Sequence, residues 1–233
     1  MIDTVKGESR GKTTTDWLDS FHSFSFAEYY DPENINFGPL RVLNHDYVAP
    51  SSGFPTHPHN NMEIITYVLK GTLTHSDSMG TKKTIVKNEV QMMTAGTGIY
   101  HSEYNYSADE PVELLQIWIV PEKRNLNPTY SQKLIPEGAA DNKLYKIVSH
   151  KDGDGLLKIN QEAEVYLSRL TQTREIEHPV GKSRGVYIYL IEGEINVNDN
   201  TLKNGDAVKI LLEESVKIRA NEDSEFILFD IIV

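Results

Sequence analysis

The 233-residue chain has no cysteine. That absence excludes disulfides, thiolate zinc sites, iron–sulfur clusters and cysteine nucleophiles together, so any bound metal has to be held by nitrogen and oxygen. Long apolar runs are lacking too. "LLQIWIV" at 114–120 and "ILFDIIV" at 227–233 are strand-sized, far short of the roughly 20 residues of a membrane-crossing helix. Positive charge is also in deficit: 23 Lys and Arg stand against 34 Asp and Glu, a formal charge of −11, with no dense basic cluster. Phosphate backbones are bound largely through Lys and Arg, so direct nucleic-acid binding is not expected. The start, "MIDTVKGESRGKTTTDW", has no apolar segment after a basic one, so the expectation is a cytoplasmic protein without a secretory signal.

What is present is strand. "RVLNHDYVA", "EIITYVLKG", "KTIVKNEVQMM", "VELLQIWIV", "GVYIYLIEGEINVN", "AVKILL", "SVKIRA" and "EFILFDIIV" are short, β-branched or aromatic, and separated by Gly, Asn, Asp and Ser. The chain reads as all-β, sandwich or barrel. Short helices are expected only near "TTTDWLDSF" and "NQEAEVYLSRL", with Thr15 and Asn160 as caps. The unit also repeats. "YVLKG", "KNEVQMM" and "LLQIWIV" are followed in the second half by "YLIEG", "KNGDAVKI" and "ILFDIIV". The polar stretch from Pro121 to about Asp154 connects them, which suggests a first domain over 1–125, a connector over 126–154 and a second domain over 155–233. "DGDG" at 152–155 lacks the closing Glu of a calcium loop and reads as a turn.

The chemistry concentrates in the first half. Residues i and i+2 of a strand share a face, so His57 and His59 in "THPHNNMEIITYVLKG" project together, as do His101 and Glu103 in "AGTGIYHSEYN". On neighbouring strands in matched register, three imidazoles and a carboxylate converge, a set accepted by iron, manganese, cobalt, nickel, copper and zinc. Gly96 and Gly98 suit a tight turn before the second pair. Glu63, also in phase, is an alternative carboxylate, and Gln116, which interrupts an apolar strand, either orients a ligand from inside a cavity or faces outward. His75 reads as shaping a hairpin end, and His22 and His45 as satisfying local hydrogen bonds. The second half carries His178 without a partner motif, and so no site.

The pattern His57-x-His59-x3-Glu63 with Gly71, then Gly96-x-Gly98-x2-His101-x3-Asn105, resembles the two cupin motifs. Together with "HSDSMG" and "FSFAEYYDPENINFGPLRVLN", it resembles, over nearly the whole chain, the pirin family in its bacterial quercetinase-like branch. Asn60, Asn61 and Met92 depart from residues common there. The resemblance implies a bicupin of two jelly-roll domains, with one divalent ion, Fe(II) first, on His57, His59, His101 and Glu103. It implies quercetin 2,3-dioxygenase activity on a flavonol and O2, with Glu103 as base and carbon monoxide released, in a monomer. It also admits a regulatory role, in which an iron site senses oxidation state and alters binding to a protein partner.

Overall fold

The computed structural model describes residues 1–233. The all-β expectation holds: strands account for nearly all regular structure, and the single helical piece is one 3-10 turn at Gly7–Ser9. No helix is long and apolar enough to cross a membrane. The segments expected to be short helices are strands, Gly11–Thr14 with Leu18–His22 in the first case and Ala163–Leu170 in the second. The reason is tertiary. Each segment pairs along its length with a neighbouring strand, which overrides weak helical propensity. Thr15 does cap, but a turn rather than a helix: its hydroxyl accepts the backbone N–H of Leu18 at 3.1 Å.

The chain divides into two compact units. The unit carrying the histidine motifs comprises residues 11–135 and 159–161. It pairs a seven-stranded sheet, in the order Thr129–Leu134, Glu89–Thr94, Glu63–Lys70, Val112–Ile119, Leu40–Val48, Leu18–His22 and Gly11–Thr14, with a four-stranded sheet, in the order Ser52–His59, Ile99–Asn105, Thr72–Asp77 and Lys82–Val86. Every pairing in it is antiparallel. Val48, Val68, Leu73, Ile85, Val112 and Leu114 form an apolar cluster contributed by both sheets, the sandwich core that removes their inner faces from water.

The second unit comprises residues 1–10, 136–158 and 162–233 and repeats the plan. Its seven-stranded sheet runs Ile2–Val5, Ala207–Leu211, Arg184–Glu192, Ser224–Ile232, Ala163–Leu170, Tyr145–Ser149 and Leu157–Lys158, and its four-stranded sheet runs Glu175–Pro179, Ser215–Ala220, Glu194–Val197 and Asn200–Lys203. "YVLKG" and "YLIEG" end equivalent strands of the two large sheets. Two segments lie outside the boundaries drawn from composition. Ile2–Val5 pairs with Ala207–Ile210 of the second unit, and Thr129–Leu134, in the polar stretch, pairs with Glu89–Thr94 of the first. Both are edge strands, where one ladder and half-buried side chains suffice, so neither carries the apolar signature of a central strand.

Candidate metal centre

Two neighbouring strands of the four-stranded sheet build the site. Ser52–His59 is an edge strand, and for that reason it tolerates Pro55 and Pro58, whose missing N–H groups cost nothing on the unpaired side. It pairs with Ile99–Asn105 so that His57 stands directly opposite His101, while a bulge sets Phe54 opposite Glu103. The turn that feeds the second strand depends on glycine. Gly96 has φ +50°, and a Cβ there would lie 2.0 Å from the Leu126 carbonyl oxygen.

This register brings His57, His59 and His101 together. Their ring centroids lie 4.4–4.9 Å apart, and their candidate ligand atoms fall within 4.8 Å of one another. The Nδ1 of His57 is 2.8 Å from the Pro55 carbonyl, which only accepts, so Nδ1 holds the proton and Nε2 presents a lone pair. The Nε2 of His101 is buried and has no hydrogen-bond partner. Burial, reinforced by the neighbouring imidazoles, pushes His59 down to about 4 and His101 down to about 3, so both rings are neutral at physiological pH. Neutral imidazoles with free lone pairs, one of them orphaned in the interior, are the donor set a divalent transition metal takes.

Glu103 is joined to this group through His101. Glu103, His101 and His75 form a second set of side chains within the same 4.8 Å limit. Its carboxylate is held from behind: Thr66 donates its hydroxyl to Oε1 at 3.0 Å, and Gln116 donates its amide to Oε2 at 2.7 Å. Gln116 therefore faces inward. Glu63 does not come near. Its carboxylate accepts the Thr94 hydroxyl at 3.0 Å and the Asn160 side-chain amide at 3.3 Å, and it stands outside both ligand groups. Glu63 lies on the large sheet, paired with Thr94 and Ile119, so strand parity with its histidines does not bring it to them. The remaining histidines divide. His45 pairs with Glu113 at 2.8 Å, whereas His22, bonded to Thr13 and Asn44, lines the cavity described next.

A cavity of about 330 Å³ meets the site, at the lower end of the roughly 300–1,000 Å³ typical of small-molecule pockets. His57, His59 and Glu103 line it, with Phe26, Phe54 and Trp118 as apolar walls. Trp118 stands edge-on to His59, ring centroids 4.8 Å apart, and Phe26 packs on Trp118. Asn44, Ser20 and Asp46 supply a polar wall.

Sequence reasoning missed Asp46. It is 2% exposed, accepts the Ser20 hydroxyl in a short hydrogen bond, and is pushed up to about 7, chiefly by burial, with the Ser20 bond opposing and the charge of Glu103 adding. An acid whose folded pKa is raised favours folding fully below its unfolded value near 4, and that advantage is lost as pH rises towards 7. Asp46→Asn removes the titration while keeping the oxygen that Ser20 bonds. The melting temperature of the variant minus that of the wild type is expected to be near zero at pH 4 and roughly 5–10 °C at pH 8, for a linkage of up to roughly 4 kcal/mol. A difference that is flat across this range would show that Asp46 titrates normally.

The second unit has no counterpart. Its strand Glu175–Pro179 occupies the place of Ser52–His59, but His178 is paired with Asp230 at 2.7 Å, and Val216 stands opposite it.

Comparison with known proteins agrees with this geometry. Residues 5–119 match the family model described as Pirin, and residues 146–231 match the one described as Quercetinase C-terminal cupin domain. Quercetin 2,3-dioxygenase of Escherichia coli K12 is 42% identical over 231 residues, 99% of each chain. The chain belongs to the pirin family. A pirin-like protein of Caulobacter vibrioides is 40% identical over 99% of each chain. The crystal structure of the bacterial pirin YhhW from Escherichia coli in complex with nickel(II) superposes with a TM-score of 0.94 at 41% identity, covering 100% of this chain and 99% of that one. The two-domain pirin architecture, with one cupin domain in each half, is thus the fold of this chain.

Proposed function

We propose that this pirin holds one divalent metal ion, Fe(II) in the first instance, on His57, His59, His101 and Glu103, and opens flavonols such as quercetin with O2, releasing carbon monoxide. The observation that carries the reading is the unpartnered Nε2 of buried His101, clustered with two further histidines at a cavity of small-molecule size. Relatives named quercetin 2,3-dioxygenase and a nickel-bound pirin of the same fold support it. The metal, when bound, supplies Lewis-acid and redox chemistry.

The protein's own residues do the rest. Trp118, Phe26 and Phe54 offer apolar walls to a flat aromatic ligand and exclude water from it. Glu103 is placed to take the proton of the flavonol 3-hydroxyl on a carboxylate oxygen, with Thr66 and Gln116 fixing the carboxylate as it does so. A purely regulatory site, answering to metal oxidation state by changing affinity for a protein partner, needs no ligand-sized space. The cavity lined by His57, His59 and Glu103 therefore favours turnover. Fe(II)-loaded protein mixed with quercetin without oxygen, then exposed to oxygen, is expected to bleach the flavonol band with one carbon monoxide formed per flavonol lost. No bleaching by protein shown to carry a full complement of metal would overturn the dioxygenase reading.

A further inference from the structure

Behind the metal-facing histidines lies a buried chain of proton donors and acceptors. Asp77 ends the strand Thr72–Asp77, and the turn after it folds back onto its carboxylate: Oδ1 accepts the backbone N–H groups of Met79 at 2.9 Å and Thr81 at 3.0 Å. The other oxygen, Oδ2, is 3.0 Å from Nε2 of His75, with both side chains completely inaccessible to solvent. The Nδ1 of His75 is in turn 3.4 Å from Nδ1 of His101. The ring of Tyr130 packs against His75, centroids 4.9 Å apart, and restricts its plane. The ladder explains the alignment, since Asp77 stands directly opposite His101, and His75 directly opposite Glu103.

With His75 and His101 both taken as neutral imidazoles, a proton count gives the direction of this chain. A carboxylate only accepts, so Nε2 of His75 must donate to Asp77. A neutral imidazole carries one N–H, so Nδ1 of His75 is left as a lone pair. Two lone pairs facing each other repel, so Nδ1 of His101 donates to it. The Nε2 of His101 is then bare, and it is the buried atom found without a partner.

We propose that Asp77 and His75 are positioning residues, a carboxylate–imidazole relay that fixes His101 in the tautomer whose Nε2 lone pair faces the metal pocket formed with His57 and His59. The relay rests on the metal reading above for its purpose, but its proton pattern is a property of the metal-free protein. Outer partners of metal-binding histidines typically carry 10–100-fold in metal affinity. Asp77→Asn makes a sharper demand. With the two backbone N–H groups still claiming the amide oxygen, the amide N–H2 is turned towards His75, whose Nε2 must now accept. His75 then donates from Nδ1, His101 must accept at Nδ1, and the remaining proton moves onto Nε2 of His101, where it blocks the metal.

The test uses the full chain labelled with 15N-histidine. Long-range proton–nitrogen spectra of the metal-free wild type are expected to show His101 protonated on Nδ1, and those of Asp77→Asn to show it protonated on Nε2. Ni(II), titrated in competition with a chromophoric chelator, is expected to bind 10–100-fold more weakly to Asp77→Asn and to His75→Phe than to wild type. An Nε2-protonated His101 in the wild type overturns the relay, as does wild-type Ni(II) affinity in either variant with an unchanged melting curve. A wild type that binds no Ni(II) sinks the metal reading alone, because the tautomer spectra still decide the relay. If His75→Phe does not fold, the wild type and Asp77→Asn suffice.

Discussion

His101→Ala is expected to abolish metal binding. Elemental analysis of the purified variant should fall from about one ion per chain to background, with affinity for added Ni(II) or Fe(II) lowered by more than about 100-fold, the upper end of what loss of a mere outer partner costs. His101 is the hub of the site. It is the only residue shared by the two ligand groups, its Nε2 has no other partner, and it sits opposite His57 on one side and Asp77 on the other. Alanine removes the one ligand common to both groups and leaves His57 and His59 on one side and Glu103 on the other, no longer linked into a single donor set. Flavonol bleaching should vanish with the metal. A variant that keeps a stoichiometric ion would place the metal elsewhere in the protein and end the account of this cavity.

Glu103→Gln separates binding from proton transfer. The side chains are nearly isosteric, but the carboxylate accepts from both Thr66 and Gln116, whereas an amide offers only one acceptor oxygen. One of those donors must therefore face an N–H2 group, which turns the side chain or displaces Gln116. The three histidines remain. The variant is expected to retain metal, bound more weakly, and to lose turnover by roughly 10²–10⁴-fold in kcat, the range general base catalysis supplies. Measuring metal content and kcat on the same preparation gives the answer. Full activity with metal bound would remove Glu103 as the base, and a complete loss of metal would make it chiefly a ligand.

How much of this was legible beforehand depends on which physical rule wrote it. The short β-branched and aromatic runs "EIITYVLKG" and "VELLQIWIV" report burial, and both are nearly wholly buried central strands of the large sheet, so the fold class and the repeat could be read directly. His57, His59 and His101 were legible because i, i+2 spacing and cross-strand register obey the same geometry. Glu63 shows where parity fails: it says which residues share a face of one strand, not which sheet that strand joins. His75 and Asp77 have the same i, i+2 spacing as the recognised pairs, but His75 reads as shaping a hairpin end and Asp77 went unread, and only the pairing with Ile99–Asn105 sets them behind His101. Asp46 was passed over although it is in phase with the apolar Val42 and Val48 of "RVLNHDYVA"; its burial is completed by the strand Leu18–His22 on one side, a segment whose local propensity pointed to helix, and by Val112–Ile119 on the other.

The pairing of Ile2–Val5 with Ala207–Ile210 sets an order of events during translation. Residues 11–135 hold almost all of the histidine-bearing unit and leave the ribosome well before residue 207 is made. The histidine cluster can thus close on the nascent chain while Ile2–Val5 is still waiting for its hydrogen-bonding neighbour. A ribosome stalled near residue 180 should already display a protease-resistant histidine-bearing segment alongside an unprotected Ile2–Val5.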